Sequence, residues 1–168
     1  MKEILQKDSP ILRQKAKPIP EEMFGSKELV AIIHELSESL AAHYDGVALA
    51  GPQIGFSWRI FIISQKMFPD DETIKQDLIF INPEITRLSK KKAWLDEGCL
   101  SIKNIYGKVL RSEKATLSAF NEVGEKFEWN GEGLIAQVFQ HETDHLDGIL
   151  FIDKAKDLRK IETNEESK

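Results

Sequence analysis

Apolar positions recur along the chain with two different periods, and the changes of period mark out its elements. Between Glu28 and His43, Leu29, Ile32, Ile33, Leu36 and Leu40 fall at i, i+3, i+4, i+7 and i+11. That spacing predicts an amphipathic helix with one buried stripe. Asp45-Gly46 ends it, Gly46 being suited to the left-handed position after a helix. Beyond it "WRIFIIS" (58–64) and "DLIFINPEIT" (77–86) are rich in β-branched and aromatic residues and predict strands, joined by a polar loop around Pro69-Asp70-Asp71. "ATLSAFNEVGEKFEWNG" (115–131) predicts a hairpin turning at Asn121–Gly124. The helical period returns from about Gly133 to Asp147, with Gly148 as the stop. Residues 8 to 20 hold three of the six prolines and predict an extended surface segment. The charged end, after about residue 155, is expected to fray. No repeat or low-complexity linker intervenes, so residues 1–168 read as a single domain. The order helix, strands, helix predicts an α+β fold with mostly antiparallel sheet.

Composition narrows the function classes. With 168 residues, 41% hydrophobic and 30% charged, the chain suits one globular domain. Its 23 Lys+Arg against 28 Asp+Glu give a net charge of −5, which argues against a phosphate-backbone partner. The triplet Lys90-Lys91-Lys92 reads as a solvated turn or strand edge, so no nucleic-acid patch is evident. One cysteine, Cys99, permits no intrachain disulfide and indicates a reducing compartment. The N-terminus lacks the apolar core of a signal peptide, and no run approaches a membrane span; a cytoplasmic location is expected.

The candidate chemistry lies in "QHETDHLDG" (140–148). At 100° per residue, Leu134, Val138, His141 and His145 fall within roughly 60° of one another, so both histidines share the apolar stripe and point inward. Glu142 lies about 100° further round than His141, beside that stripe. Two imidazoles at i and i+4 can hold one metal ion, and the glutamate between them can take a proton from water. Burying both imidazoles and the carboxylate with no compensating ion would be costly. A catalytic site of this kind wants a third protein ligand. His34 and His43 sit on different sides of the first helix and cannot converge. Glu162, Glu165 and Glu166 lie in the charged end, a poor place for a rigid ligand. "DEGCLS" (96–101) offers the one thiol, although a lone cysteine is often just a small buried apolar residue.

Three blocks, "GVALAGPQIG" (46–55), "EGCLS" (97–101) and "QHETDHLDG" (140–148), resemble the peptide deformylase family in type, order and spacing, and the likeness runs over roughly residues 8 to 153. The resemblance implies antiparallel sheets packed around a central catalytic helix carrying HExxH. It implies a hydrolase that removes the formyl group from N-formylmethionyl nascent peptides, with release of formate. The metal ligands would be Cys99, His141 and His145, holding Fe2+ natively, with Zn2+, Ni2+ or Co2+ possible in purified protein. Glu142 would be the general base and then the acid. The Gln53 amide and the Leu100 N–H would receive the oxyanion. Val47, Leu95, Leu134 and Val138 are expected to line the methionine slot, and the segment holding Gly46, Val47 and Ala48 to pair with the peptide backbone. Glu97 and Gly98 would support the Cys99 loop, and Arg111 would partner Asp144. Transient ribosome association is expected, and no membrane. Ala48, Lys103 and Tyr106 depart from the family's usual residues at the cleft. The competing reading is a zinc endopeptidase with a downstream glutamate ligand, or a fold without turnover.

Overall fold

The computed structural model describes residues 1–162. Its elements are α1 (Lys27–Ala41), β1 (Ala48–Ala50), β2 (Ile60–Ile63), β3 (Leu78–Leu88), β4 (Lys92–Cys99), β5 (Ile102–Ser112), β6 (Lys114–Phe120), β7 (Lys126–Glu132), α2 (Leu134–Leu146) and β8 (Lys156–Lys160). Two sheets form, in the orders β1-β2-β3-β6-β7 and β4-β5-β8, with every strand pair antiparallel. The fold is α+β, as expected.

The large sheet is covered on both faces, which explains the unbroken apolar run of β2. Phe61 and Ile63 face α2, packing with Phe80, Val138 and Phe139. Ile60 and Ile62 face α1, packing with Leu29, Ile32, Leu36 and Leu40. Each of those leucines and isoleucines contributes about 1.5–3 kcal/mol relative to an exposed side chain. α1 starts where Ser26 accepts a hydrogen bond from the Leu29 N–H, closing one of the four free amides of the first turn. The β6–β7 turn is built as the sequence suggests: the Asn121 carboxamide oxygen accepts from the Val123 and Glu125 N–H groups, and Gly124 takes a φ of 86°.

Three local expectations change. Gly46 does not adopt positive φ. A Cβ there would lie 2.9 Å from Leu40 Cδ1 and 3.1 Å from Leu100 Cδ1, so any side chain at this position would have to displace those leucine ends. The proline-containing segment, expected to be extended, winds into a 3-10 turn at Pro10–Arg13, with proline where no amide donor is needed. The fraying expected after residue 155 does not hold for Lys156–Lys160, which pairs with β5 through Lys108↔Lys156 and Tyr106↔Arg159. Lys156 Nζ sits 3.8 Å above the Trp94 ring, Arg159 bonds Asp96 at 3.0 Å, and Leu158 packs against the bare Cα of Gly107. These long side chains order a strand whose residues are all exposed. Residues 163–168, the rest of that charged end and the place of Glu165 and Glu166, lie outside the described residues.

Candidate active site

α2 is inserted between the two sheets and carries polar groups on its buried side. Gln140 pins it to β5: its Oε1 accepts from the Ser112 N–H at 2.9 Å, and its Nε2 donates to the Ser112 carbonyl at 2.9 Å. That reciprocal pair fixes the rotation of the helix, so the next turn directs His141 and His145 at the end of β4. Gly148, with φ of 73°, terminates the chain reversal, and a Cβ there would strike the Arg13 carbonyl.

Cys99 reaches the same point from β4, where the register with β5 breaks between Gly98 and Cys99. Its Sγ lies 3.3 Å from His145 Nε2. One ligand-capable atom each from Cys99, His141 and His145 falls within 4.8 Å of the others. A tetrahedral ion with ordinary metal–sulfur and metal–nitrogen bonds would hold such atoms ~3.5 Å apart, so the set fits a divalent ion with little rearrangement. His141 Nδ1 meets Glu97 Oε1 at 2.5 Å, which orients the ring and leaves Nε2 for the cluster.

A buried charge network stands behind the cluster. Arg111, 2% exposed, donates from Nε and Nη2 to the two oxygens of Glu97 at 3.1 and 2.6 Å. Its Nη1 donates to Asp144 at 2.7 Å, and Lys154 reaches the other oxygen of Asp144 at 3.1 Å. Burial alone would raise the Glu97 pKa, but the His141 and Arg111 hydrogen bonds and charges override it and bring it to about 2. Burial also opposes charge on His141. Its hydrogen bonds to Cys99 and Glu97 outweigh burial and hold its pKa well above the ordinary value. His145 is driven the other way by burial, reinforced by the neighbouring His141 charge. The two adjacent histidines are thus pushed in opposite directions by the protein groups around them.

Glu142 differs from every other acid in the site. It is 4% exposed, its Oε2 has no hydrogen-bond partner among the described residues, and burial pushes its pKa up to about 7. A carboxyl in that state can both take and return a proton near neutral pH. His145 Nδ1 is likewise buried without a partner among the described residues. The Gln53 carboxamide is oriented by the backbone three residues before it. Ala50 N–H donates to Oε1 at 2.8 Å, which turns Nε2 toward Ser101 Oγ at 3.1 Å and Cys99 Sγ at 3.6 Å.

These groups border a cleft of about 360 Å³. Its lining includes Gly46, Val47, Ala48 and Gln53, the Gly98–Leu100 turn, and Leu134, Val138, His141 and Glu142 of α2. Val47 and Leu134 are exposed at its mouth, whereas Val138 is buried at its floor. Leu95 is not among the cleft residues. It lies opposite Val109 within the β4–β5 pair, on the strand face that also carries Glu97 and Cys99. His34 lies exposed beside Glu38, but His43 borders the cleft mouth rather than standing apart from the site. Tyr106 and Lys103 occupy the far rim. The Tyr106 ring lies over Gly98, where a Cβ would come within 2.7 Å of it.

Sequence reasoning missed Ser101, Gln137 and Gln140. Ser101 and Gln140 stand inside or beside the two strongest motifs. Gln137, which bonds the Asp96 carbonyl at 2.9 Å and Glu97 at 3.2 Å, is one turn ahead of His141 on the helix. Its inward placement could be read from that spacing.

The sequence profile described as Polypeptide deformylase matches residues 1–161. Peptide deformylase from Acidobacterium capsulatum is 41% identical over 159 residues, 94% of this chain and 88% of that protein. The one from Halothermothrix orenii is 42% identical over 146 residues, covering 86% of this chain and 87% of that protein. The crystal structure of peptide deformylase from Thermotoga maritima superposes with a TM-score of 0.82 at 36% identity, over 93% of this chain and 98% of that one. An actinonin-bound class I type b peptide deformylase from Acinetobacter baumannii gives 0.83 at 28% identity, over 93% and 99%. The chain belongs to the polypeptide deformylase family: it is a hydrolase that removes the formyl group from the N-terminal formylmethionine of new polypeptides.

Proposed function

Proceeding from that membership, we propose that Cys99, His141 and His145 hold one divalent ion, Fe2+ in the cell, and that Glu142 carries the proton of the reaction. The family is metal-dependent, and the convergence of one thiol and two imidazoles supports these three as the ligands. When bound, such an ion acidifies water and polarises the formyl carbonyl. Glu142 accepts the proton that water gives up and returns it to the leaving amine, so that formamide and water become formate and a free amine. The observation that supports this role is the buried Glu142 carboxyl, whose Oε2 has no hydrogen-bond partner among the described residues.

Gln53 Nε2 and the Leu100 N–H are the proposed donors to the oxyanion that develops at the formyl carbon. Ala50 fixes the Gln53 amide oxygen, which leaves Nε2 on the side of Cys99 and Ser101, at the edge of the cleft. Val47, Leu134 and Val138 receive the methionine side chain. β1 is an edge strand paired only with β2, and its free edge at Ala48 suits an extended peptide added by backbone hydrogen bonds. Glu97 and Arg111 orient His141 and brace α2 through Asp144, keeping the base and ligands in register. Residues 1–168 act as a single catalytic domain. A cytoplasmic location and transient contact with the ribosome follow from a substrate presented as it is synthesised.

Anaerobically prepared, iron-loaded protein is expected to release formate from formyl-Met-Ala-Ser. Glu142→Gln should bind the same metal and release almost none. Full turnover by Glu142→Gln would overturn the proton-carrier role.

A further inference from the structure

The N-terminal segment supplies no group to the reaction above, yet it bonds to both residues assigned to the oxyanion. The Leu5 N–H donates to the Gln53 carbonyl at 2.8 Å. One residue further, the Gln6 side-chain amide donates to the Leu100 carbonyl at 3.1 Å and to the Ile4 carbonyl at 3.2 Å. Gln53 lies in the 3-10 turn Gly51–Ile54, which follows β1 of the large sheet. Leu100 lies in the β4–β5 turn of the small one. The segment therefore spans the gap across which the two donors face each other.

It is anchored where it starts. Ile4 is buried in the core beneath α1, and Ser39, 1% exposed, both accepts from the Lys2 N–H and donates to the Lys2 carbonyl, each at 2.9 Å. Gln6 thus makes its bond from a fixed base. The Leu100 carbonyl follows the Leu100 Cα, and the N–H proposed for the oxyanion precedes it. Cys99 is held by its contacts with Gln53 and His145. Tethering the carbonyl on the other side of Cα limits rotation of the N–H that lies between them. Leu100 is only partly buried, so packing alone restrains this turn less than it restrains the sheet interiors.

We propose that Gln6 is a positioning residue for deformylation: its amide clasps the Leu100 turn and keeps the Leu100 N–H aimed at the reacting carbonyl. The proposal rests on the assignment of Gln53 and Leu100 as oxyanion donors. A donor that drifts by a fraction of an ångström loses stabilisation specific to the transition state, which lowers kcat and leaves substrate binding little changed.

Gln6→Met keeps the length of the side chain and removes the amide. In the metal-loaded protein it should lower kcat by roughly tenfold at unchanged KM, metal content and melting temperature. Amide hydrogen exchange in residues 99 to 102 should become faster in the same variant. Gln6→Lys, which restores a donor, should recover most of both. Gln53→Met is measured alongside and should lose on the order of 10²-fold in kcat. If Gln53→Met keeps full kcat, the donor assignment fails and the proposal with it. If Gln53→Met behaves as expected while Gln6→Met stays within about twofold of the parent, the clasp alone is overturned. A Gln6→Met loss that tracks a lower melting temperature, or that Gln6→Lys does not rescue, likewise overturns it.

Discussion

α1 and α2 pack on opposite faces of one sheet and obey opposite rules. α1 keeps an apolar stripe inward and its charges outward, and its histidine, His34, stands in solvent beside Glu38. α2 buries Gln140, Glu142 and His145 along with Ala136, Val138 and Phe139. Two residues bury nearly equal polarity by different means. Gln140 is fully bonded to backbone, whereas Glu142 keeps an oxygen unpartnered among the described residues. A satisfied buried amide fixes geometry, and an unsatisfied buried carboxyl stores reactivity.

Variants can break this contrast in order of expected effect. Glu142→Gln should lower kcat by about 10²–10⁴-fold with little change in melting temperature if, as proposed, the carboxyl carries the proton of the reaction. Formate assays beside a thermal melt check both halves. Arg111→Leu leaves Glu97 and Asp144 buried without their partner and should destabilise by ~3–5 kcal/mol, measured by urea unfolding. Leu36→Ala on α1 should cost about 2–5 kcal/mol, yet kcat per folded molecule should be unchanged. Loss of kcat in that variant would erase the division of labour between the helices.

Acid provides a graded version of the same comparison. Glu97 has its folded pKa lowered from 4.5 to about 2, so its contribution is fully present above the unfolded value and is lost as pH falls from 4.5 through about 2. The shift amounts to about 3 kcal/mol at neutral pH. Stability measured down this range should fall less steeply in Glu97→Gln than in the parent. The smallest effect is expected at His34→Ala, within about 0.5 kcal/mol and without change in activity, since the side chain is exposed on the far side of the sheet.

Much of this was legible in the sequence because periodicity records burial directly. The stripe Leu29–Leu40 and the inward direction of His141 and His145 follow from 100° steps, and the Asn121–Gly124 turn from the chemistry of asparagine and glycine. The pair β4–β5 was not marked out, because the strand Lys92–Cys99 alternates exposed and half-buried positions with charges on both faces. β8 was missed for a related reason: all five of its residues are exposed, and the Trp94 ring that its own Lys156 covers lies far away in sequence. Gln6 left no signal at all, since a single polar side chain bonded to a distant carbonyl has no period.

The central claim is that the thiol of Cys99 completes a site begun by the two histidines. Its most direct test is the metal content per chain of Cys99→Ser, purified anaerobically and dialysed beside the parent. About one equivalent in the parent and loss of tightly held metal in the variant is the expected result. A full equivalent retained in Cys99→Ser would contradict the account and return the third ligand to another residue.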